Sequence, residues 1–461
     1  MQSSNEVVRQ AGEFADGDDP DKAVDLCNQV LLNEPDHPGA LFVLGCVLLK
    51  SQRHVPAMQM AKRICELCPK DPRGWQLLAL VYGELHKYDD SIRCAEKALT
   101  CKRTDKVLAD AAYAHVNAGN WDLADKYAKE AISAATFSPT PLARVAIQDA
   151  TLSQGYARLA QGDWVNGWAG YRVTLRTKWR KEYNYGDSKE WMGEPDAVVM
   201  VTGEQGLGDE IMAASVIPDA AKACKTFIID CDHRLAPLFA RSFPNVIVSP
   251  TRRVQEVRLP VMPTHHKSLF GLSELFRKTD ADFHRKPFLV PNQEYIDMFR
   301  ALFNGQRVIG IAWSGGLPRT GQEQRKAGVA AFLPLIRRGE AEFVSLEYKD
   351  DAAEVREFEK AHGVKVRRLP WVTQGQDMDL LAGLIASMSE VVSVGTAVAH
   401  IASALGVPTT ILVNPGLGWA FARPEMMWYP PSTQMFRKQR GESWRECVTR
   451  FTESRKEKLA A

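Results

Sequence analysis

The strongest constraint on the fold of this chain is a period. Pro35 and Pro69 stand 34 residues apart, and each closes a stretch whose apolar residues recur at helical spacing. Other positions keep step. Ala23, Ala57 and Ser91 fall 34 apart and Ala124 follows after 33, each a small residue in the second helix of a two-helix unit. Pro20, His54, Tyr88 and Trp121 precede them in the same register, and "ALFVLG" (40–45) and "GWQLLA" (74–79) hold equivalent places in the first helices. A single helix pair cannot hide its apolar face, and small residues let neighbouring pairs approach closely. Stacking follows, and it yields an α-solenoid with a concave surface suited to an extended peptide.

The pattern resembles the tetratricopeptide repeat, and Trp75, Ala79 and Tyr82 fit its second unit. A weaker unit returns at 159–180, where Gly162, Asp163 and Trp164 mimic the turn at 119–121. It is expected to cap the solenoid, which places the repeat region at residues 1–180. Its aromatics, Trp164, Trp168, Tyr171 and Trp179, recur near helical spacing, which fits packing against a following domain better than a carbohydrate platform. A polar linker occupies 181–197.

From residue 198 the pattern changes to short β-branched runs alternating with helical stretches. VVMVT, TFIID, NVIVS and VRLPV come first, with helices near 209–222 and 234–242; then RVIGIAW (307–313), EFVSLE (342–347), VKVRRL (364–369), EVVSV (390–394) and TTILV (409–413). Alternation of this kind predicts doubly wound parallel sheets. The fold class is thus α + α/β, with two Rossmann-like halves at 198–290 and 291–461 joined through "KPFLVPNQEY" (286–295), the second ending in a helix. Ligands of such sheets bind beyond the carboxyl ends of the strands, so two facing halves make a cleft.

The totals narrow the partners. Lys+Arg number 58 against Asp+Glu 56, which leaves no net field for nucleic acid or an anionic membrane, so an acidic ligand must be held locally. No apolar run approaches the roughly 18 residues of a membrane span, and the start MQSSNEVVRQ lacks the apolar centre of a signal peptide. A cytoplasmic location is expected. Nine cysteines scattered through helix-like segments suit a reducing compartment. Cys65 and Cys68 form a CxxC read as mid-helix filler, since no second pair accompanies it. His265 and His266 are read as a polar loop, and no cluster has metal-ligand spacing.

The candidate chemistry lies in loops that follow strands. In "GEQGLGD" (203–209), Gly203, Gly206 and Gly208 allow backbone N–H groups to approach a ligand, with a helix beginning at Asp209. The spacing is neither that of a dinucleotide loop nor that of a phosphate loop with GK[ST]. Glu204 and Asp209 are both candidates for a general base on a hydroxyl; equally, Asp209 could cap its helix and Glu204 be solvated. In the second half, "AWSGG" (312–316), with Ser314, ends a strand in small residues, and Arg325 and Lys326 follow. Gly395 and Thr396 end another strand at the start of a helix carrying Ala397 and His400. Free N–H groups there, with the Thr396 hydroxyl, suit a diphosphate, and Arg325 or Lys326 would balance charge on a leaving group. The alternatives are a solvated loop pair for Arg325 and Lys326 and a packing role for His400.

Six motifs in order, "LAQGDWVNGWAGYR", "EWMGEP", "EQGLGDEI", "IAWSGG", "SVGTAVAHIASALGVP" and "WYPPSTQMFRK", resemble bacterial proteins that join tetratricopeptide repeats to a glycosyltransferase domain similar to the ADP-heptose:lipopolysaccharide heptosyltransferase family, of GT-B fold. The resemblance implies sugar transfer from a nucleotide-sugar, with no cofactor beyond that co-substrate and no required metal. It makes Asp209 the base, Gly395–His400 the donor-phosphate loop, and Ser345, Leu346 and Glu347 the stretch near the nucleotide base. Relatives of this two-part type include flagellin glycosyltransferases. Three stretches depart from the pattern, all on the donor side: Gly395 replaces a carboxylate, Gln324, Arg325 and Lys326 stand where an Asp–Arg segment is usual, and "LGWAFAR" (417–423) replaces DWRW.

The expected function is therefore an inverting glycosyltransferase whose repeats present a protein hydroxyl, with flagellin as the acceptor the resemblance suggests. Two other readings compete: a repeat scaffold with a degenerate GT-B module, and a transferase acting on a lipopolysaccharide-type glycan.

Overall fold

The computed structural model describes the chain apart from residues 1–2, 18, 138–142, 176–179, 181–182, 184, 251–258, 317–321, 417 and 461. Trp179 and the first part of the expected VRLPV strand therefore lie outside the described residues. The chain divides into two compact units, Met1–Gln161 and Gly162–Ala461.

In the first unit the period becomes geometry. The described helices are α1 (Ser4–Asp16), α2 (Pro20–Asn33), α3 (Pro38–Lys50), α4 (His54–Leu67), α5 (Pro72–Glu84), α6 (Tyr88–Cys101), α7 (Asp105–Asn117), α8 (Trp121–Thr136) and α9 (Ala143–Gln161). The second helices of the pairs begin at Pro20, His54, Tyr88 and Trp121, as the spacing predicts. Ala23, Ala57, Ser91 and Ala124 are 0, 0, 1 and 0% exposed, so these small side chains are what the close approach of helices rests on. Gly45 is tighter still, since a Cβ there would lie 2.3 Å from Leu77 Cδ2. The turns inside the pairs recur as well: Gln52, His86 and Gly119 take φ of 61°, 57° and 75°, a left-handed residue that reverses the chain at the same place each time. Cys65 and Cys68 fall at the end of α4 and not mid-helix, and both are free thiols. Burial pushes the Cys65 thiol up to about 12. Among the described residues no group of His, Cys, Asp or Glu could hold a metal ion, and no helix is long and apolar enough to cross a membrane.

The second unit opens with the Trp164–Tyr171 helix and contains two sheets. The first is built from β1 (Lys189–Glu190), β2 (Val198–Thr202), β3 (Thr226–Asp230), β4 (Ile247–Val248) and β5 (His265–Ser268), in the order β1-β5-β2-β3-β4. The other holds β6 (Val308–Ala312), β7 (Glu342–Ser345), β8 (Arg367–Arg368), β9 (Glu390–Val394), β10 (Thr409–Val413) and β11 (Thr433–Arg437), in the order β11-β10-β9-β6-β7-β8. Every pairing is parallel. β2, β6 and β10 are buried along their whole length, which is why they read as unbroken apolar runs instead of alternating ones. In each sheet the first strand of the half lies between its second and its fourth strand. Chain direction across the sheet reverses there, between β2 and β5 and between β6 and β9, and the carboxyl ends of those strands open a crevice.

Two expectations are corrected. VRLPV supplies no strand among its described residues; the fourth strand of the first half is His265–Ser268. His265 and His266 are consequently strand residues and not a loop, with His266 buried and its Nδ1 3.0 Å from Ser188 Oγ. The polar strand is stable because its buried charge is neutralised: Lys267 Nζ, 3% exposed, lies 2.6 Å from Glu190 Oε1 and 3.5 Å from Glu274 Oε2. β11 was also missed, since its sequence follows Pro430 and Pro431 and reads as loop. An edge strand tolerates that approach.

Candidate active site

The turn after β2 is built to hold side chains under it. Gly203 is glycine because the Glu210 carboxyl packs across it, with Cδ 2.5 Å from where a Cβ would stand. Glu210 is itself buried and accepts the Asp232 N–H at 2.7 Å. The helix that follows runs Leu207–Ala213, starting two residues before the expected Asp209. Asp209 is its third residue, where the carboxylate accepts the Gly206 N–H, the N-terminal half of a capping box. Capping and proximity to the crevice therefore coexist in one carboxylate. Burial pushes the Asp209 carboxyl up to about 6; Arg325 and the Gly206 amide oppose the shift and the charge of Glu204 adds to it.

Glu204 is not solvated. Its side chain is 0% exposed, Oε1 lies 2.7 Å from Arg180 Nη2, and it accepts the N–H of Leu269 at 2.9 Å and of Phe270 at 3.3 Å. Burial raises its carboxyl, against the pull of Arg180 and the two amides. Three donors thus engage its two oxygens.

The second half meets this turn directly. A Cβ on Gly208 would stand 2.9 Å from His400 Cδ2 and 3.6 Å from Ala397 Cα, so the glycine makes room for the start of the Ala397–Leu405 helix. His400 is buried and its Nδ1 is 2.7 Å from the Tyr429 hydroxyl. Burial and, after it, the charge of Arg325 lower its pKa to about 4, so the ring is neutral at pH 7. Burial raises the Tyr429 hydroxyl, with the charge of Asp209 adding to the effect. The Arg325 guanidinium donates from Nη1 to Gly395 O at 3.4 Å, and burial lowers its pKa against the pull of Asp209. Asp209, Arg325, Ala397, His400 and Tyr429 thus share one place, between the carboxyl ends of β2 and β9.

The remaining predicted residues divide. Thr396 caps its helix, its Oγ1 accepting the Ala399 N–H at 3.4 Å and lying 3.1 Å from Ser393 Oγ; the first N–H groups of the helix beyond it have no carbonyl to meet within the helix. Gly315 presses on it, with Thr396 Cγ2 2.4 Å from a Cβ position. Ser314 and Glu347 pair with each other: the carboxylate accepts Ser314 Oγ at 2.5 Å and Ser314 N at 2.8 Å, with Trp313 N at 2.6 Å. Burial raises the Glu347 carboxyl, which the Ser314 and Trp313 bonds oppose. Leu346 turns its side chain into the core, 2.6 Å from a Cβ position on Gly310. Lys326 is 61% exposed and 3.9 Å from Glu323, the solvated arrangement, while its neighbour Arg325 faces the crevice.

Sequence reasoning missed Arg180 and Tyr429. Tyr429 lies in the "WYPP" stretch, but only the fold brings it beneath His400. Arg180 carries no motif; its position next to a polar segment gives no sign that it is 1% exposed. The aromatics of the Trp164–Tyr171 helix pack as expected: Trp168 meets Phe270, Trp419 and Trp428 at ring-centre distances of 6.5, 5.5 and 6.1 Å, and Trp164 meets Phe283 at 4.5 Å. They are core, not platform.

No family model matches the chain. The chain is 24% identical over 441 residues to Protein FlbA of Caulobacter vibrioides, covering 89% of itself and 72% of that protein. Among solved structures it is similar to the ADP-heptose lps heptosyltransferase II of E. coli, at 14% identity over 56% of this chain and 99% of that one, TM-score 0.39. It is also similar to a thermophilic TPR protein of Thermus thermophilus, at 17% identity over 37% of this chain and 90% of that one, TM-score 0.33.

Proposed function

We propose that this protein is an inverting glycosyltransferase that moves a sugar from a nucleotide-sugar to a hydroxyl of a protein segment held by the repeats. One observation carries the reading: a carboxyl raised to about 6, Asp209, stands opposite the Arg325 cation and the start of the Ala397–Leu405 helix. A base with that pKa is largely ionised at neutral pH yet basic enough to take a hydroxyl proton as the oxygen attacks. In this reading the acceptor oxygen bonds to the anomeric carbon on the face opposite the leaving group, the bond from that carbon to the phosphate oxygen breaks, and the proton ends on Asp209. The charge on the departing diphosphate is met by Arg325 and the Ala397 and Val398 N–H groups. Neutral His400, tied to Tyr429, shapes the wall between the two. Glu204 takes no part as a base, because its oxygens are already engaged.

A second reading has its own support. Ser314 is engaged with Glu347, Thr396 with its own helix, and position 395 lacks a carboxylate, which suits a scaffold that no longer binds a donor. The test serves both. Purified protein is incubated with UDP-, GDP-, ADP- and CMP-sugars, nucleotide release is measured with and without cell lysate as acceptor source, and binding is followed by calorimetry. Turnover of one donor, lost in Asp209→Asn while nucleotide binding persists, supports the transferase. Binding of no nucleotide sinks it and leaves the scaffold.

A further inference from the structure

We propose that Arg180, together with Tyr171, is a positioning clamp that fixes the Gly203–Asp209 turn and so sets where the Asp209 carboxylate points. The proposal rests on the reading of Asp209 as base.

Consecutive residues of the turn are held from one side by one stretch of chain. Arg180 donates to Glu204 at 2.7 Å and, from the same nitrogen, to Ser268 Oγ at 3.3 Å. Its other terminal nitrogen donates to Tyr171 O at 3.1 Å and Thr174 Oγ1 at 2.9 Å. The guanidinium lies over the Tyr171 ring, 4.3 Å from its centre, and the hydroxyl of that same ring accepts from Gln205 Nε2 at 2.6 Å. Glu204 and Gln205 are therefore both gripped before the chain reaches Gly206, whose N–H is the one the Asp209 carboxylate accepts. The planar fork serves Glu204 and Ser268 from one nitrogen and Tyr171 O and Thr174 from another, a spread that the single nitrogen of lysine does not span.

The environment argues against a role in overall stability alone. Glu204 also accepts the Leu269 N–H on Oε2 and the Phe270 N–H on Oε1, so each of its oxygens has an amide donor besides Arg180. A buried ion pair adds little net stability over a well-packed neutral pair, but it does fix the direction of the groups it joins. Ser268 ends β5 and Leu269 and Phe270 follow it directly, so the clamp joins both strands that flank the switch point of the first half.

The experiment compares the full-length wild type with Arg180→Ala, Arg180→Lys and Glu204→Gln. The expected result for Arg180→Ala is a kcat about tenfold or more below wild type, since misplacement by about 1 Å costs up to 10²-fold, with nucleotide affinity within about twofold. Arg180→Lys recovers part of the loss. Glu204→Gln keeps the side chain's shape and one of its two amide contacts and, by removing its charge, moves the acid limb of the kcat profile to lower pH. The charged and titratable groups facing Asp209 are Arg325, Glu204, His400 and Tyr429, and only Glu204 changes. Unchanged kcat in Arg180→Ala, or an unmoved acid limb in Glu204→Gln, overturns the clamp. If the wild type turns over no donor, the failure belongs to the transferase reading, and amide exchange of the ligand-free chain decides the clamp instead: Arg180→Ala must speed exchange across 203–212 about tenfold or more relative to the Ala397–Leu405 helix, and equal rates overturn it.

Discussion

Replacing Gly208 by alanine tests the contact that closes the crevice. The added methyl would stand 2.9 Å from His400 Cδ2, 3.5 Å from Nε2 and 3.6 Å from Ala397 Cα, whereas carbons rest at about 3.5–4.0 Å. The imidazole must then retreat by roughly 0.6 Å or more. It has little freedom to do so, being buried, bonded to Tyr429 at 2.7 Å and 6.0 Å from the Phe421 ring centre. Retreat sacrifices that hydrogen bond, about 1 kcal/mol net and up to about 3 if the hydroxyl is left unpaired; holding position forces the helix start aside, an overpacking cost of about 1–3 kcal/mol. Either route predicts a loss of about 2 kcal/mol. In calorimetry of the full chain, the transition of the second unit should fall by about 3 °C while that of the repeat unit stays in place. His400→Ala in the same background should relieve the clash, giving a coupling of about 1 kcal/mol or more in a double-mutant cycle. A melting temperature within about 1 °C of wild type, or additive effects in the cycle, would refute the reasoning.

Other consequences follow from the charges. The folded-state pKa of Asp209 is raised from 3.8 to about 6, so its ionisation costs stability above about pH 6 and that cost disappears as pH falls towards 4. Asp209→Asn should therefore end turnover and yet stabilise the second unit by about 3 kcal/mol at pH 8, with little gain at pH 4; urea melts showing equal gains at both pH values would exclude Asp209 as the titrating group. Arg325→Gln should weaken nucleotide binding about tenfold or more while Lys326→Gln changes it by less than about twofold, and calorimetry giving the two variants similar losses would remove the distinction between a crevice-facing and a solvent-facing cation.

The repeats were legible because a solenoid writes its packing at fixed intervals: Ala23, Ala57, Ser91 and Ala124 are small for one shared reason. The strands β2, β6 and β10 were legible because burial on both faces leaves no polar interruption. What escaped was whatever depends on partners far away in sequence. β5 looks polar because Lys267 is neutralised by Glu190, 77 residues earlier, and no local pattern reports that. Arg325 and Lys326 are adjacent and chemically alike, and only the fold turns one inward. Glu204 and Asp209 looked interchangeable on a shared turn, yet Arg180 and two amides just past β5 engage one of them and the other faces the crevice. Leu346 shows the reverse case, a motif position whose side chain serves the core.

The Trp164–Tyr171 helix carries a consequence for how such a chain could be cut or recombined. It reads as one more repeat, but its rings are interleaved with Phe270, Phe283, Trp419 and Trp428, and the glycine that opens this unit, Gly162, leaves no room for a Cβ beside Arg423. The seam between the two compact units thus runs before Gly162, some distance ahead of the first long strand. A lineage that shed or replaced the repeats at β2 would strip an aromatic face bare and remove the cation that balances Glu204; one that broke at the seam would inherit a module with its interior intact, free to be fitted to a different array.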